Sequence, residues 1–263
     1  MIFVTAITED IVVKGYEKKR KAGQFYEEYK YLLKSLQTVY PDATPMLFIL
    51  QGKYNRAELE ALHEKLEVVD YTKKYNPLLG IDTNYLLIIQ EVYNNTDQDV
   101  VMLDTDCIVI RRFDDYCVDD IDVTVTTRGG LTWNGERHDI VFAPAIYHQN
   151  NRDAVNEYID TLISMGAEYA RVHANDWINI QASVNQLYLE GGMLDGFPSS
   201  GDLKVDTEKT GVISGVRLRV VSQFVLGYSF DVRTEEPKPE TRIIHYKGHK
   251  SKRKEVYDRW AIK

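Results

Sequence analysis

The sequence predicts an α/β domain built on a mixed, mostly parallel sheet flanked by helices. Three observations carry that expectation. Apolar runs of strand length alternate with apolar patterns of helical period through the first half of the chain. The run Val100-Val101-Met102-Leu103 is apolar throughout, as a strand covered on both faces requires. With 263 residues, 44% of them hydrophobic and 27% charged, the chain has the material for one substantial core.

The elements follow in order. Ile2 to Ile7 is an apolar strand, and Phe25, Tyr29, Leu32, Leu33, Leu36 and Tyr40 then recur at helical spacing. Pro41 and Pro45 bracket a turn into a strand over Met46 to Leu50. Ala57 to Leu66 reads as a helix with Leu59, Leu62 and Leu66 on one face, and Val68-Val69 as a short strand. A helix from Asn84 to Tyr93 leads through a polar loop into the strand at Val100. This alternation predicts parallel pairing with right-handed crossovers. The second half is mixed, with strands at Ile121 to Thr126 and Ile140 to Tyr147 separated by a polar loop from Gly129 to Asp139. Helices follow at Asp153 to Met165 and at Asp176 to Leu189, the latter closed by Gly191-Gly192. Val216 to Val220 and Arg242 to His245 are the last strands. Residues 251 to 263 form an amphipathic helix with Val256 and Trp260 on one face, which caps the domain or leads into a further one.

The net charge of −8 argues against nucleic acid as a partner. Basic residues nonetheless cluster at Lys14 to Lys21 and at Lys247 to Lys254. Such runs are solvated faces or flanks of an anionic substrate. Cys107 and Cys117 have no ligand-type spacing and make no disulfide framework, which fits reduced thiols in a reducing compartment. No apolar stretch reaches bilayer length and no signal peptide opens the chain, so a cytoplasmic location is expected.

Two segments carry chemistry. Asp104 and Asp106 follow the apolar strand two residues apart, so their carboxylates project the same way in an extended chain. Each raises the cost of ionising the other, and a divalent cation removes that cost. Two hard oxygen ligands at the carboxyl edge of a sheet suit Mg²⁺ or Mn²⁺ with a phosphate-bearing substrate. The bland reading is two solvated aspartates in a turn. About 140 residues on stands Arg242-Ile243-Ile244-His245-Tyr246-Lys247-Gly248-His249-Lys250-Ser251-Lys252. An imidazole can complete a metal shell begun by carboxylates. A glycine lets backbone approach a phosphate, and lysines neutralise it.

A β/α first half, a buried strand ending in Asp-x-Asp, and a late His-x-x-Gly with lysines resemble metal-dependent nucleotide-sugar glycosyltransferases of the GT-A fold. The retaining glycogenin and bacterial lipopolysaccharide galactosyltransferase type is the nearest in pattern. The resemblance implies a nucleotide-binding half over 1–126 and an acceptor and catalytic half over 127–250. It implies that Asp104, Asp106 and His245 hold Mn²⁺ or Mg²⁺ on the donor diphosphate, with Asp104 and Thr105 also at the donor. Gly248 and Lys250 would contact the diphosphate, and Thr5, Ala6 and Ile7 would receive uridine through their backbone. Asn175-Asp176-Trp177 resembles the acidic segment opening a helix beneath the donor sugar, which makes Asp176 the candidate catalytic carboxylate; its bland reading is a helix cap. A UDP-sugar, UDP-galactose or UDP-glucose, is the implied donor, a glycan or glycoprotein the acceptor, and retention the outcome. Trp133, among glycines, is a candidate for stacking on an acceptor sugar.

The chain departs from the family pattern at Val141-Phe142-Ala143-Pro144-Ala145, where an Asn, a small residue and Gly are usual, and at Ser251, where a lysine is usual. An acidic reader of uracil after the first strand has no clear register in Ile7-Thr8-Glu9-Asp10. Two other readings compete. A haloacid-dehalogenase phosphatase also opens on an apolar strand ending in Asp-x-Asp, but wants that strand early and Thr or Val where Ile108 stands. A non-catalytic nucleotide-sugar-binding module would keep the fold without the transfer.

Overall fold

A computed structural model describes residues 1–8, 24–52, 54–118, 120–133, 136–172, 176–199, 202–228, 236–246 and 253–260. The strands are β1 (Ile2–Thr8), β2 (Thr44–Gln51), β3 (Glu67–Asp70), β4 (Val100–Met102), β5 (Cys107–Val109), β6 (Val123–Trp133), β7 (Glu136–Tyr147), β8 (Glu208–Ile213), β9 (Val216–Ser222), β10 (Leu226–Tyr228) and β11 (Ile243–His245). The helices are α1 (Gln24–Val39), α2 (Arg56–Glu60), α3 (Gly80–Asn94), α4 (Arg152–Val172), α5 (Asp176–Glu190) and α6 (Arg253–Trp260).

An eight-stranded sheet has the order β3-β2-β1-β4-β7-β6-β9-β8, and a three-stranded sheet the order β10-β11-β5. In the large sheet β7 is antiparallel to both β4 and β6, and β8 is antiparallel to β9; the other neighbours are parallel. The sheet is therefore mostly parallel, as expected. Its two faces build two cores. Against one pack α3, α4 and α5 through residues such as Leu86, Ile89, Val155, Ile159 and Ile180. Against the other packs α1 through Tyr29, Leu32, Leu33 and Leu36, with Val109, Leu226 and Ile243 of the small sheet. Each leucine buried there stabilises the fold by about 1.5–3 kcal/mol.

Several elements differ from the sequence reading. The Gly129–Asp139 stretch is no loop: it lies largely in the β6–β7 hairpin, with Leu131 opposite His138 and Trp133 opposite Glu136. The helix expected to Leu66 stops at Glu60; Asn55 caps it, and Leu66 reaches the core from a turn instead. β5, β8 and β10 are additional strands. α4 runs seven residues past Met165, to Val172. In the last helix, Val256 is buried with Ile108, Tyr228, Ile244 and Tyr246, so α6 packs on the small sheet.

The buried tyrosines make the fold sensitive to alkali. Burial drives the phenols of Tyr29, Tyr85, Tyr147, Tyr158 and Tyr188 well above their ordinary value. Burial pushes Tyr93, whose hydroxyl donates to His148 O at 2.7 Å, up to about 12, with Arg152 pulling the other way. A phenol raised in the folded state adds stability that is whole below an unfolded pKa of about 10 and is lost as pH rises through the folded value. For Tyr93 that window is about 10 to 12. Alkaline titration should therefore show tyrosinate absorbance of the buried set rising together with loss of near-ultraviolet dichroism. A smooth titration near the ordinary phenol value, with dichroism intact, contradicts this.

Candidate donor and metal site

The site begins with the strand order. The chain proceeds from β1 outward to β2 and β3, then returns to lay β4 on the other side of β1. In α/β sheets the crevice at such a reversal, beyond the carboxyl ends of the strands, is where ligands bind. The β1–β4 ladder runs from Ile2 opposite Val100 to Val4 opposite Met102, with one further bond from Leu103 N–H to Val4 O. Past it β1 continues through Thr5, Ala6 and Ile7 on β2, while the other chain turns into Asp104-Thr105-Asp106. The two expected segments therefore share one crevice. The side chains of Thr5 and Ile7 are buried and that of Ala6 half-buried, which leaves backbone groups as what this stretch offers.

The small sheet brings His245 to the triplet. Cys107 N–H closes a turn on Asp104 O at 3.1 Å, and β5 starts at once. β11 lies antiparallel to β5, with His245 opposite Cys107, and Tyr246 N–H donates to Asp106 O at 3.1 Å. Residues 139 apart in sequence thus meet: His245 Nε2 is 2.8 Å from Asp106 Oδ1 and 3.4 Å from Asp104 Oδ2. The imidazole is 1% exposed, Asp106 13% and Asp104 33%, so exposure rises from the imidazole to Asp104. One ligand atom from each of the three residues lies within 4.8 Å of the others.

The positioning contacts are equally specific. Tyr85 of α3 is buried beneath the crevice, and its hydroxyl is 2.6 Å from Val4 O and 2.8 Å from Leu103 O. It ties β1 to the residue before Asp104. Thr105 faces inward: its hydroxyl donates to Glu28 Oε2 of α1 at 3.0 Å, and Glu28 is wholly buried. Replacing Thr105 by Val removes this buried hydrogen bond to a carboxylate and should cost about 1–2 kcal/mol. A fall in melting temperature together with weaker donor binding is the expected result; unchanged values for both would remove Thr105 as a support of the triplet.

Arg128 of β6 is a further member. Burial lowers its pKa, while the charges of Asp104 and Asp106 push it back up. A guanidinium stays protonated at any ordinary pH, so Arg128 is a fixed cation that feels the charges of both carboxylates. Nothing in the Thr-Arg-Gly-Gly stretch marked Arg128, because its place depends on β6 lying two strands from β4. Tyr85 and Glu28 were equally hidden, each sitting in an ordinary helical pattern.

Asp176 is the first residue of α5. Its side chain, that of Trp133, residues Gly248 and Lys250, and most of both basic runs lie outside the described residues.

No family model matches the sequence, and no curated protein matches it. Solved structures do. A glycosyltransferase involved in glycosylation of the major capsid of PBCV-1 is 12% identical, with a TM-score of 0.53 over 98% of each chain. Mouse xyloside xylosyltransferase 1, in its apo form, is 9% identical, with a TM-score of 0.51 over 94% of this chain and 97% of that one. The glycosyltransferase GlyE of Streptococcus pneumoniae TIGR4 is 12% identical, with a TM-score of 0.52 over 99% of this chain and 60% of that one. At such identities the likeness concerns architecture alone, and it reaches almost end to end. The chain has a glycosyltransferase fold of the GT-A type.

Proposed function

We propose that this chain transfers a hexose from a UDP-sugar, UDP-galactose or UDP-glucose, to a hydroxyl of a glycan or glycoprotein. The reaction depends on Mn²⁺ or Mg²⁺, retains the anomeric configuration and takes place in the cytoplasm. The observation that carries this reading is the meeting of Asp104, Asp106 and His245 at the switch-point crevice of a GT-A-type fold.

The residues fit the metal. Two carboxylates converge on one buried imidazole, an arrangement of two anions that a divalent cation makes favourable. Asp104, Asp106 and His245 would hold it. Once bound, the cation neutralises charge on the leaving diphosphate as a Lewis acid.

The chain's own groups do the rest. Arg128 adds a fixed positive charge that acts on the same two carboxylates. Thr5, Ala6 and Ile7 take the uridine by backbone groups, and Gly248 and Lys250 contact the diphosphate. Asp176 supplies the carboxylate that stabilises an oxocarbenium-like anomeric centre. Those last assignments, and the division at residue 126 into nucleotide and acceptor halves, rest on the family resemblance.

The test is thermal stability against a panel of nucleotide sugars, with and without Mn²⁺, followed by transfer assays with the donor that stabilises. Ligand bound only by the folded state must raise the melting temperature. A Mn²⁺-dependent rise with UDP and one UDP-hexose is expected, and a product linkage with the donor's anomeric configuration. No shift with any nucleotide, alongside metal-dependent phosphate release from simple esters, would sink the transferase in favour of a phosphatase.

A further inference from the structure

A second cluster of metal-ligating side chains lies at the other end of β4. Asp99 stands just before that strand, His148 just after β7, and Cys117 at the end of the 3-10 turn Asp114–Tyr116. Their ligand atoms all lie within 4.8 Å of one another. The strand rise of about 3.3 Å per residue places this cluster roughly 15 Å from the acidic triplet. The transfer chemistry uses none of the three residues.

The outer atoms of the cluster are already held. His148 is buried, and its Nε2 is 3.0 Å from Thr124 Oγ1 of β6, a residue also wholly buried. With that nitrogen engaged, Nδ1 faces Asp99 Oδ2 at 3.1 Å. The other Asp99 oxygen accepts Gln149 N–H at 3.1 Å. Cys117 Sγ lies 3.6 Å from Met1 Sδ. Ligating histidines and carboxylates are typically fixed in this way by an outer ring of hydrogen bonds.

The spacings match a tetrahedral ion. Donors N and O at about 2.0–2.2 Å from zinc stand about 3.3 Å apart; here they are 3.1 Å apart. Cys117 Sγ lies within 4.8 Å of both.

We propose that Asp99, Cys117 and His148 form a second metal site of zinc type. One thiolate, one imidazole and one carboxylate select a borderline cation over Mg²⁺ or Mn²⁺. The ion balances the two anions and releases the thiol proton to solvent. It pins the start of β4, the end of β7 and the Cys117 loop together, so its role is structural.

The test uses the Asp104→Ala/Asp106→Ala double variant, stripped with chelator and titrated with Co²⁺. One cobalt per chain is expected, with thiolate-to-cobalt charge-transfer absorption, strong four-coordinate visible bands, and displacement by Zn²⁺. Adding Cys117→Ser should abolish the charge-transfer band and weaken binding about tenfold or more, and His148→Gln should weaken it similarly. Circular dichroism of the metal-free variants checks that each is folded. Absence of the thiolate band in the double variant, or its survival in Cys117→Ser, overturns the site and leaves an Asp99–His148 hydrogen bond alone.

Discussion

Asp104→Ala, and separately Asp106→Ala, should abolish Mn²⁺-dependent stabilisation by UDP and lower transfer by about two to three orders of magnitude. The two aspartates and His245 converge within hydrogen-bonding distances, and no other metal-ligating side chain joins them in that cluster among the described residues. Loss of one carboxylate removes a proposed hard ligand and a unit of negative charge, so the fixed charge of Arg128 is offset less. The folded state should not suffer in proportion. Asp104 is a third exposed, so its truncation should change the melting temperature of the ligand-free protein little. The melting temperature without ligand, the rise with UDP and Mn²⁺, and the transfer rate therefore separate ligand loss from unfolding. Full metal-dependent stabilisation in both variants would remove the triplet from the donor site and the proposed reaction with it.

Reading the chain alone recovered what periodicity records. β1, β2, α1, α3 and β4 each carry an uninterrupted apolar pattern, and the Asp-Thr-Asp triplet is legible because it breaks one abruptly. β8 escaped because an edge strand reading Glu-Lys-Thr-Gly-Val-Ile is mostly polar and holds its place by pairing with β9. β5 and β10 are three residues each, too short for any period to appear. The β6–β7 hairpin was hidden because glycines and charged residues, which normally mark loops, continue its ladder after register shifts. The end of α2 was misplaced because Leu62 and Leu66 keep helical spacing, while the backbone turns after Glu60. The donor site divides the same way. Asp104, Asp106 and His245 are chemically conspicuous, and one antiparallel pairing unites them. Tyr85, Glu28 and Arg128 act through contacts made only when distant elements stack, and no local pattern encodes those.

Tyr85→Phe should show how much the crevice depends on such a contact. The phenol bridges Val4 O and Leu103 O, joining the strand that leads to Thr5 with the residue that precedes Asp104. Val4 O keeps its bond from Leu103 N–H, so the change does not orphan that carbonyl. The one phenolic proton that these two carbonyls share is still lost, a cost of about 1–2 kcal/mol. For a chain of this size that lowers the melting temperature by roughly 2–8 °C. The ring itself stays, packed edge-on to Phe142 at 6.4 Å between centroids, so no cavity opens. What changes is the tether between β1 and β4 at the point where their ladder ends. The affinity for UDP with Mn²⁺ should fall about tenfold even at temperatures where the variant is fully folded, because the metal ligands and the uridine edge no longer share a fixed spacing. Removing a phenol that only stabilises the core would lower the melting temperature and leave that affinity untouched. The two measurements together therefore decide whether Tyr85 is a strut of the donor site or a packing residue beneath it.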